Sequence, residues 1–241
     1  MSAPLVYKAS ALRKDYGRAF TLAIDDLQVR RGEILGLVGP TGSGKSTLLR
    51  LLHLLEAPTS GELEFEGRRV VHPADLSIRR RITMVFQRPQ LLRGTVLDNV
   101  CYGGGLRGLR DEEKAREILA SLDLEHLADA PAFPLSGGEI QRVAVARSFA
   151  LGCPVLLLDE PTANLDPAHV LLIERIILEL REKASVTTVI VTHNLPQARR
   201  LADRVALLLE GRLVEVAETD AFFDRSQDPR TKAFLRGDMV W

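Results

Sequence analysis

The chain has 241 residues, enough for one large domain or two small ones with a buried core. Its composition, 46% hydrophobic and 27% charged, is that of an ordinary globular protein. The 32 basic and 32 acidic residues cancel, which argues against a general nucleic-acid-binding protein while leaving room for a local basic patch.

The first third of the chain has the alternating and apolar runs of a β-rich region followed by one helix. The predicted elements are an antiparallel strand, an apolar strand, a helix, an exposed hairpin around Gly61 and Gly67, and a further strand, at residues 20–29, 33–39, 45–55, 58–70 and 80–87. The strand at 33–39 and the helix after it are joined directly by a glycine-rich loop.

From residue 88 to residue 134 strand-like runs vanish and helical periodicity takes over, with glycines 103–105 expected to end a helix or form a loop. We therefore predict a helical subdomain at 88–152, inserted into a sheet domain made of 1–87 and 153–241. The later elements are predicted at 137–151 (helix), 155–160 (strand), 167–183 (helix), 185–193 (strand), 194–203 (helix), 204–216 (hairpin) and a helical tail. Apolar strands that alternate with helices indicate an α/β fold with a largely parallel sheet covered on both faces.

The sequence also constrains the compartment. Cys101 and Cys153 are too few for a disulfide framework and are expected to be buried or idle thiols in a reducing environment. Arg50 and His53 interrupt the apolar residues 48–55, and no uncharged run approaches the ~20 residues that a spanning helix needs. The N-terminus lacks the apolar segment of a secretory signal. We therefore expect a cytoplasmic protein that serves any membrane process by docking onto another protein.

The glycine-rich loop GPTGSGKS, residues 39–46, matches the Gly-x-x-x-x-Gly-Lys-Ser/Thr pattern between a strand and a helix. Glycines allow successive backbone N–H groups to face phosphate oxygens, and the helix N-terminus adds its positive dipole end. A plain glycine-rich turn is the alternative, but both neighbouring elements favour a nucleotide site. The predicted binding residues are Gly39, Pro40, Thr41, Gly42, Ser43, Gly44, Lys45, Ser46 and Thr47. Among them Lys45 is expected to reach the β- and γ-phosphates, Ser46 to ligate Mg²⁺ and Thr47 to contact an α-phosphate oxygen.

The apolar strand VLLLDE, residues 155–160, ends in two carboxylates. Asp159 is placed to orient Mg²⁺ through water, and Glu160 to polarise a water molecule for attack on the γ-phosphate. A strand end that is acidic by chance is the alternative. A kinase has no need of a second carboxylate poised for water, so hydrolysis is favoured.

Between the loop and these carboxylates lies LSGGEIQRVAVARS, residues 135–148. Ser136 is a good N-cap, Gly137 and Gly138 leave the helix start uncovered, and Glu139 has the spacing of a capping box. Taken alone, this segment predicts only a well-capped helix.

These motifs, in this order and spacing, resemble the ATP-binding subunits of ABC transporters over essentially the whole chain. Tyr16 lies 23 residues before Gly39, where these subunits place an aromatic residue against adenine. Gln87 matches the Q-loop glutamine, LSGGE the signature motif and His193 the switch histidine. The segment ANLD, residues 163–166, matches the D-loop; many relatives have serine at its second position, but Asp166 is retained.

The resemblance implies a P-loop NTPase (RecA-like) core with an antiparallel β subdomain and an inserted α-helical subdomain. It also implies a head-to-tail homodimer that uses ATP and Mg²⁺, with Glu160, His193, Gln87 and Lys45 in catalysis. The residues expected to meet the partner's nucleotide are Ser136, Gly137, Gly138 and Glu139. Tyr16 would stack on adenine, Gln87 and Asp159 would serve the metal, the latter through water, and Asp166 would shape the dimer contact.

The absence of a fused membrane domain favours import, with residues 88–100 gripping a transmembrane permease subunit at the inner face of the cell membrane. An extracytoplasmic solute-binding protein would be an indirect partner. In three segments the sequence resembles that of the ATPases of oxyanion importers, above all those of the tungstate type. These segments are 84–103, 197–215 and 234–241. Molybdate, phosphate and polar amino acids are the alternative solutes.

Two other classes of nucleotide-binding protein are alternatives. A non-transport ABC ATPase in DNA repair or translation usually carries a coiled-coil insertion or two fused cassettes and favours a basic excess, none of which is seen. A nucleotide-dependent switch or kinase has no need of the LSGGE helix, Glu160 and His193 together. The remaining histidines share no metal-like spacing and are expected to be surface or packing residues: His53, His72, His126 and His169. The basic run 79–81 is expected to be a solvated face or strand edge.

Overall fold

A computed structural model describes residues 4–163 and 165–238. Its ten-stranded sheet has the order β5-β4-β1-β2-β10-β9-β3-β8-β7-β6. The strands are β1 (Leu5–Asp15), β2 (Thr21–Arg30), β3 (Ile34–Val38), β4 (Ser60–Phe65), β5 (Arg68–Arg69), β6 (Ile82–Val85), β7 (Val155–Asp159), β8 (Thr187–Val191), β9 (Arg204–Leu209) and β10 (Arg212–Glu218). The helices are α1 (Lys45–Leu52), α2 (Leu76–Arg79), α3 (Val96–Gly105), α4 (Glu112–Ser121), α5 (Gly137–Ala150), α6 (Pro167–Ala184), α7 (Leu195–Leu201), α8 (Thr219–Arg225) and α9 (Pro229–Arg236).

One half of the sheet is parallel, as predicted. Strands β6, β7, β8, β3 and β9 run side by side in the same direction. Every residue of β3, β6, β7 and β8 is buried, because helices cover both faces. Successive residues of β3 therefore enter two different cores: Leu35 and Leu37 pack with α1, whereas Ile34 and Val38 pack in the core that holds α3, α5 and α6.

The other half of the sheet is antiparallel apart from the parallel pairing of β2 with β10, and it includes β1, a strand that the sequence pattern did not predict. Strand β1 pairs with β2 on one side and with β4 on the other. The predicted hairpin turns at Gly67, with φ of 75°. Gly61 of this hairpin lies inside β4, where a side chain would overlap the carbonyl oxygen of Ala11. This glycine serves close strand approach.

The segment between β6 and β7 is helical, as predicted, and α3, α4 and α5 share one apolar core. Helix α3 ends at Gly105, as expected for the glycine run. Helix α1 ends at Leu52, earlier than predicted. Leu54 takes a φ of 62°, and the N–H groups of Leu54 and Leu55 donate to the carbonyls of Leu51 and Arg50. This is a Schellman stop without its usual glycine.

Both cysteines are buried free thiols, in agreement with the prediction. The basic run belongs partly to α2, and Arg81 forms an ion pair with Glu66. Within residues 4–163 and 165–238, every helix is too short or too polar to cross a membrane.

Candidate active site

The glycine-rich loop connects β3 to α1 and is folded around the side chain of Lys45. The Nζ of Lys45 donates hydrogen bonds to the carbonyls of Gly39 and Pro40, both at 2.7 Å. Gly39 and Gly44 have φ of 146° and 104°. A Cβ on Gly39 would overlap the carbonyl oxygen of Leu208, and one on Gly44 would lie 2.7 Å from the Phe20 ring. Conformation and space both require glycine at these positions.

The ammonium of Lys45 is held in a largely desolvated position. Burial lowers the pKa of Lys45 to about 8, and the negative charges of Glu160 and Asp159 only partly oppose this shift. A cavity of about 220 Å³ opens in front of it. The residues lining this cavity are Phe20, Thr41, Gly42, Gly44, Lys45, Ser46, Thr47, Gln87, Glu160 and His193. The cavity therefore brings the predicted phosphate loop together with three of the predicted catalytic side chains.

Asp159 ends β7 beside Ser46, the second residue of α1. Burial raises the pKa of the Asp159 carboxyl, and the neighbouring Ser46 side chain opposes that shift. In the described part of the chain, the Oδ1 atom of Asp159 is buried without a hydrogen-bond partner. A buried carboxylate oxygen without a partner, next to a hydroxyl, is the oxygen-rich setting that suits a hydrated divalent cation.

Glu160 is the centre of a polar cluster at the mouth of the cavity. Its Oε1 lies 2.6 Å from Nε2 of His193, and its Oε2 accepts a hydrogen bond from Nε2 of Gln87 at 2.9 Å. The backbone of Glu160 has a φ of 50°, a left-handed conformation that costs a non-glycine residue roughly 1–3 kcal/mol. Glu160 follows the end of β7 and lines the same cavity as the phosphate loop.

The signature segment caps α5 as predicted. The backbone N–H of Ser136 donates to Glu139 at 2.7 Å, and the backbone N–H of Glu139 donates to the Ser136 hydroxyl at 3.3 Å. Among the described residues that line the phosphate-loop cavity, none comes from 136–139. Within one subunit, residues 136–139 therefore take no part in lining the cavity at the phosphate loop.

Tyr16 and Asp166 lie at the edges of this region. The Tyr16 ring is 41% exposed, its hydroxyl bonds to Glu56, and the Lys14 ammonium lies 5.4 Å from its centroid. Asp166 caps α6 by accepting from the N–H groups of Ala168 and His169, and it also pairs with the His169 ring. His169 was expected to be only a surface or packing residue, so this pairing was missed. Asn164 of the D-loop and residues 239–241 of the compared tail lie outside the described residues.

Sequence reasoning also missed the residues that support the cluster. Phe20 lines the cavity, Gln141 of α5 donates to the carbonyl of Pro161 at 3.1 Å, and Gln197 lies buried behind His193. No motif marks these positions, although Gln197 follows His193 at helical spacing. In the described ranges, no group of three or more His, Cys, Asp or Glu side chains forms a metal-binding cluster.

Comparisons with known proteins identify the family of this fold and site. The ABC transporter family matches residues 22–163. The tungstate uptake ATP-binding protein TupC of Peptoclostridium acidaminophilum is 40% identical over 218 residues, 89% of this chain and 98% of that protein. The phosphate import ATP-binding protein PstB 2 of Natronomonas pharaonis is 39% identical over 236 residues, 92% of this chain and 81% of that protein. The chain therefore belongs to the ABC transporter family and is an ATP-hydrolysing cassette.

Solved structures agree with this assignment. The dimeric, post-hydrolysis structure of the ATP-binding cassette MJ0796 bound to ADP and Pi is 31% identical, with a TM-score of 0.80, covering 88% of this chain and 98% of that one. CbiO1 from Clostridium perfringens, part of the ABC transporter complex cbiONQ, is 29% identical with a TM-score of 0.80, covering 97% and 96%. The predicted P-loop fold is confirmed.

Proposed function

We propose that the chain is the ATPase subunit of an oxyanion importer, with tungstate as the solute. The observation that carries this proposal is the 40% identity with a tungstate uptake ATP-binding protein over 98% of that protein's length. The phosphate import relative supports the broader oxyanion class. The solute itself would be chosen outside this chain, by permease and solute-binding subunits.

ATP occupies the cavity at the phosphate loop. Backbone N–H groups of residues 41–47 surround the phosphates, with the N-terminus of α1 directed at them. Lys45, whose Nζ is held by two loop carbonyls, exchanges these partners for phosphate oxygens and keeps its charge near them. Tyr16 offers its exposed ring to the adenine base.

Hydrolysis is assigned to the cluster around Glu160. Its carboxylate accepts a proton from the water that attacks the γ-phosphate, a role that suits a carboxylate at the mouth of the phosphate cavity. His193 and Gln87 both contact the carboxylate and fix its position. In the ATP complex, Gln87 would also contact the attacking water, and His193 would contact the γ-phosphate. The strained backbone of Glu160 fixes the direction of attack.

Ser46 and Asp159 are the residues that would hold Mg²⁺, the aspartate through water, with Gln87 as a further ligand. The unpartnered oxygen of Asp159 fits this role. When bound, Mg²⁺ neutralises charge that develops on the phosphate oxygens.

We further propose that two copies act head to tail, so that Ser136, Gly137, Gly138 and Glu139 of one copy close on the nucleotide of the other. The separation of 136–139 from the loop cavity within one subunit supports this arrangement, as does the dimeric form of the MJ0796 cassette. Asp166, at the start of α6, would shape the contact.

The helical segment 88–152 would form a subdomain of its own against the core of 1–87 and 153–241. Its surface at 88–100 would grip the permease at the inner face of the membrane. CbiO1, which has the same fold, is likewise part of an ABC transporter complex. A solute-binding protein outside the membrane would complete the importer, and no nucleic acid takes part.

The Glu160→Gln variant tests the assigned base. The amide keeps the size of the side chain but cannot accept the proton, so we expect hydrolysis to fall by roughly 10²–10⁴-fold while ATP binding is kept. Size-exclusion chromatography with ATP should show a trapped dimer. Glu62→Gln, on the exposed β4 strand, is the matched control and should hydrolyse normally. Hydrolysis by Glu160→Gln at the wild-type rate would remove Glu160 as the base.

The solute is tested by co-purification with membrane partners and by uptake in a deletion strain. We expect loss of tungstate uptake on deletion and its return with the wild-type chain, but not with Glu160→Gln. Restoration of phosphate or molybdate uptake without tungstate would replace tungstate by that anion. Unchanged uptake of all three would contradict oxyanion import.

A further inference from the structure

A buried polar network behind the catalytic cluster ties the loop of Glu160 to the loop of His193. Its centre is Gln197 of α7, which is completely buried. We propose that Gln197 is a positioning residue that fixes Glu160 and His193 relative to each other through hydrogen bonds to both loops. This inference rests on the catalytic roles proposed above for those two side chains.

The carbonyl end of Gln197 joins the two loops directly. Its Oε1 accepts a hydrogen bond from the Thr192 hydroxyl at 2.7 Å and one from the Thr162 hydroxyl at 3.2 Å. Thr192 immediately precedes His193, and Thr162 follows Glu160 by two residues. A single buried oxygen atom therefore holds both loops at one point.

The residue after His193 is held by the same glutamine. The backbone N–H of Asn194 donates to the Thr192 hydroxyl at 3.0 Å, and Oδ1 of Asn194 accepts from the backbone N–H of Gln197 at 3.0 Å. Asn194 thereby caps α7. Because both neighbours of His193 are tied to Gln197, the histidine backbone has little freedom to shift.

The amide end of Gln197 decides which way the side chain faces. Its Nε2 donates to Oε1 of Glu174 at 3.1 Å, and Arg200 donates to both oxygens of that carboxylate at 2.7 and 3.2 Å. A carboxylate only accepts hydrogen bonds, so the NH₂ group must face Glu174 and the carbonyl must face the threonines. Glu174 is 5% exposed, so its removal from the pair would leave buried groups unpaired.

The loops have room to move if this network is broken. A cavity of about 580 Å³ lies beside Glu160 and His193 and is also lined by Thr162, Thr192 and Arg200. A displacement of about 1 Å between reacting groups can lower a rate by about 100-fold. The network thus lies where a small relaxation would change chemistry more than nucleotide affinity.

The first test replaces Gln197 by methionine, which keeps the length of the side chain and removes both polar ends. We expect kcat for ATP hydrolysis to fall by about 10–100-fold, with the KM and Kd for ATP changed less than about twofold. Glu33→Gln is the matched control, because Glu33 is a buried carboxylate paired with Arg204, outside the catalytic cavity. It should lower the melting temperature and leave kcat unchanged.

The second test exchanges the two partners. Gln197→Glu places two carboxylates together and should lose at least as much kcat as Gln197→Met. In the double variant Gln197→Glu/Glu174→Gln the new amide donates to the new carboxylate, but its nitrogen replaces the oxygen that accepts from Nη2 of Arg200. We therefore expect a partial recovery, with kcat above that of Gln197→Glu and below that of the wild type. Thr192→Val, which keeps side-chain shape, tests the same contact if Gln197→Met does not fold, and the same fall in kcat without a rise in KM is expected.

These outcomes separate the inference from the function on which it rests. Wild-type kcat in Gln197→Met or Thr192→Val, with Glu160→Gln inactive, would overturn the positioning role and leave the assigned base intact. Two other outcomes would also overturn it. One is a loss of ATP binding and of thermal stability in Gln197→Met that accompanies the whole loss of kcat. The other is no recovery of kcat in the exchange variant. Either would reduce Gln197 to a packing residue. Wild-type hydrolysis by Glu160→Gln would instead remove the proposed function itself.

Discussion

Lys45 combines two demands that oppose each other. Its ammonium is buried against carbonyl groups so that it can meet phosphate, yet burial lowers its pKa to about 8. Phosphate oxygens favour the charged form and raise the pKa when ATP binds. Below pH 8 the charge is present before and after binding, whereas above pH 8 the free protein must take up a proton in order to bind.

ATP affinity should therefore fall as pH rises above 8, by up to about tenfold per pH unit, with about one proton taken up per ATP bound. Isothermal titration calorimetry from pH 6.5 to pH 9.5, in buffers with different ionisation enthalpies, measures both quantities. At pH 6.5, well below the pKa of about 8, this group should contribute almost no pH dependence. Binding at pH 9 without proton uptake would contradict the assignment to Lys45.

The sequence was sufficient to predict that the glycine-rich loop and the residues after β7 lie together at one cavity, because the spacing within each motif is local. Lys45 and Ser46 start the helix that follows the loop, and Asp159 and Glu160 end one strand. The left-handed φ of Glu160 and the burial of Gln197 depend on contacts with distant segments, so no local pattern could have predicted them.

At the scale of elements, α3 is tied to the loop that precedes it by one buried side chain. The side chain of Asn99, 1% exposed, closes the loop before the helix. Its Oδ1 accepts from the N–H of Leu92 at 2.8 Å, and its Nδ2 donates to the carbonyls of Leu92 and Thr95 at 3.0 and 2.9 Å. The side-chain amide of Asn99 therefore fixes the loop between Leu92 and Thr95, which belongs to the proposed permease surface.

Asn99→Ala should lower the free energy of unfolding by about 1–3 kcal/mol, because it leaves buried backbone groups of the loop unpaired. Hydrogen exchange at the Leu92 amide should become faster. Ser121→Ala, which removes a hydrogen bond from α4 to the carbonyl of Ile118, should leave exchange at Leu92 unchanged. Wild-type exchange at Leu92 in Asn99→Ala would show that the side chain does not hold the loop.

Elements with strong periodicity were predicted well, and those fixed by their neighbours were not. Residues 167–183 were predicted as a helix and form Pro167–Ala184, which begins with an aspartate cap and proline. Strand β1 was missed because its pairing with β2 and β4, rather than its own pattern, makes it a strand. The early end of α1 escaped prediction because Leu54 occupies a position that usually holds glycine.

At the scale of the whole molecule, the proposed dimer makes each active site a product of two chains. Ser136→Arg should abolish hydrolysis while ATP binding is kept, because the new side chain blocks the partner's nucleotide. Lys45→Ala should be inactive through its own loop. In a mixture, one of the two sites of each heterodimer has an intact loop and an intact signature.

An equal mixture of the two inactive variants should recover about a quarter of wild-type activity, since about half of randomly formed dimers are heterodimers with one intact site each. Phosphate release measured across mixing ratios tests this, with each variant mixed with itself as the control. Absence of rescue at every ratio would contradict independent sites shared between chains.

The α/β class was predictable from alternating strands and helices, but the order of strands was not. Strand β3 pairs in parallel with β8 and β9, which lie far along the chain, and parallel pairing leaves no local turn signal. The subunit arrangement was likewise inferred by resemblance, because capping alone explains Ser136 within one chain.

The position of β3 between two late strands has a consequence for biosynthesis. The phosphate loop leaves the ribosome early, whereas its neighbours β8 and β9 are made much later. The turn after β9 completes the loop, since the N–H of Gly211 donates to the carbonyl of Ser43 at 3.0 Å. A nascent chain thus has no finished phosphate loop until most of it has been translated.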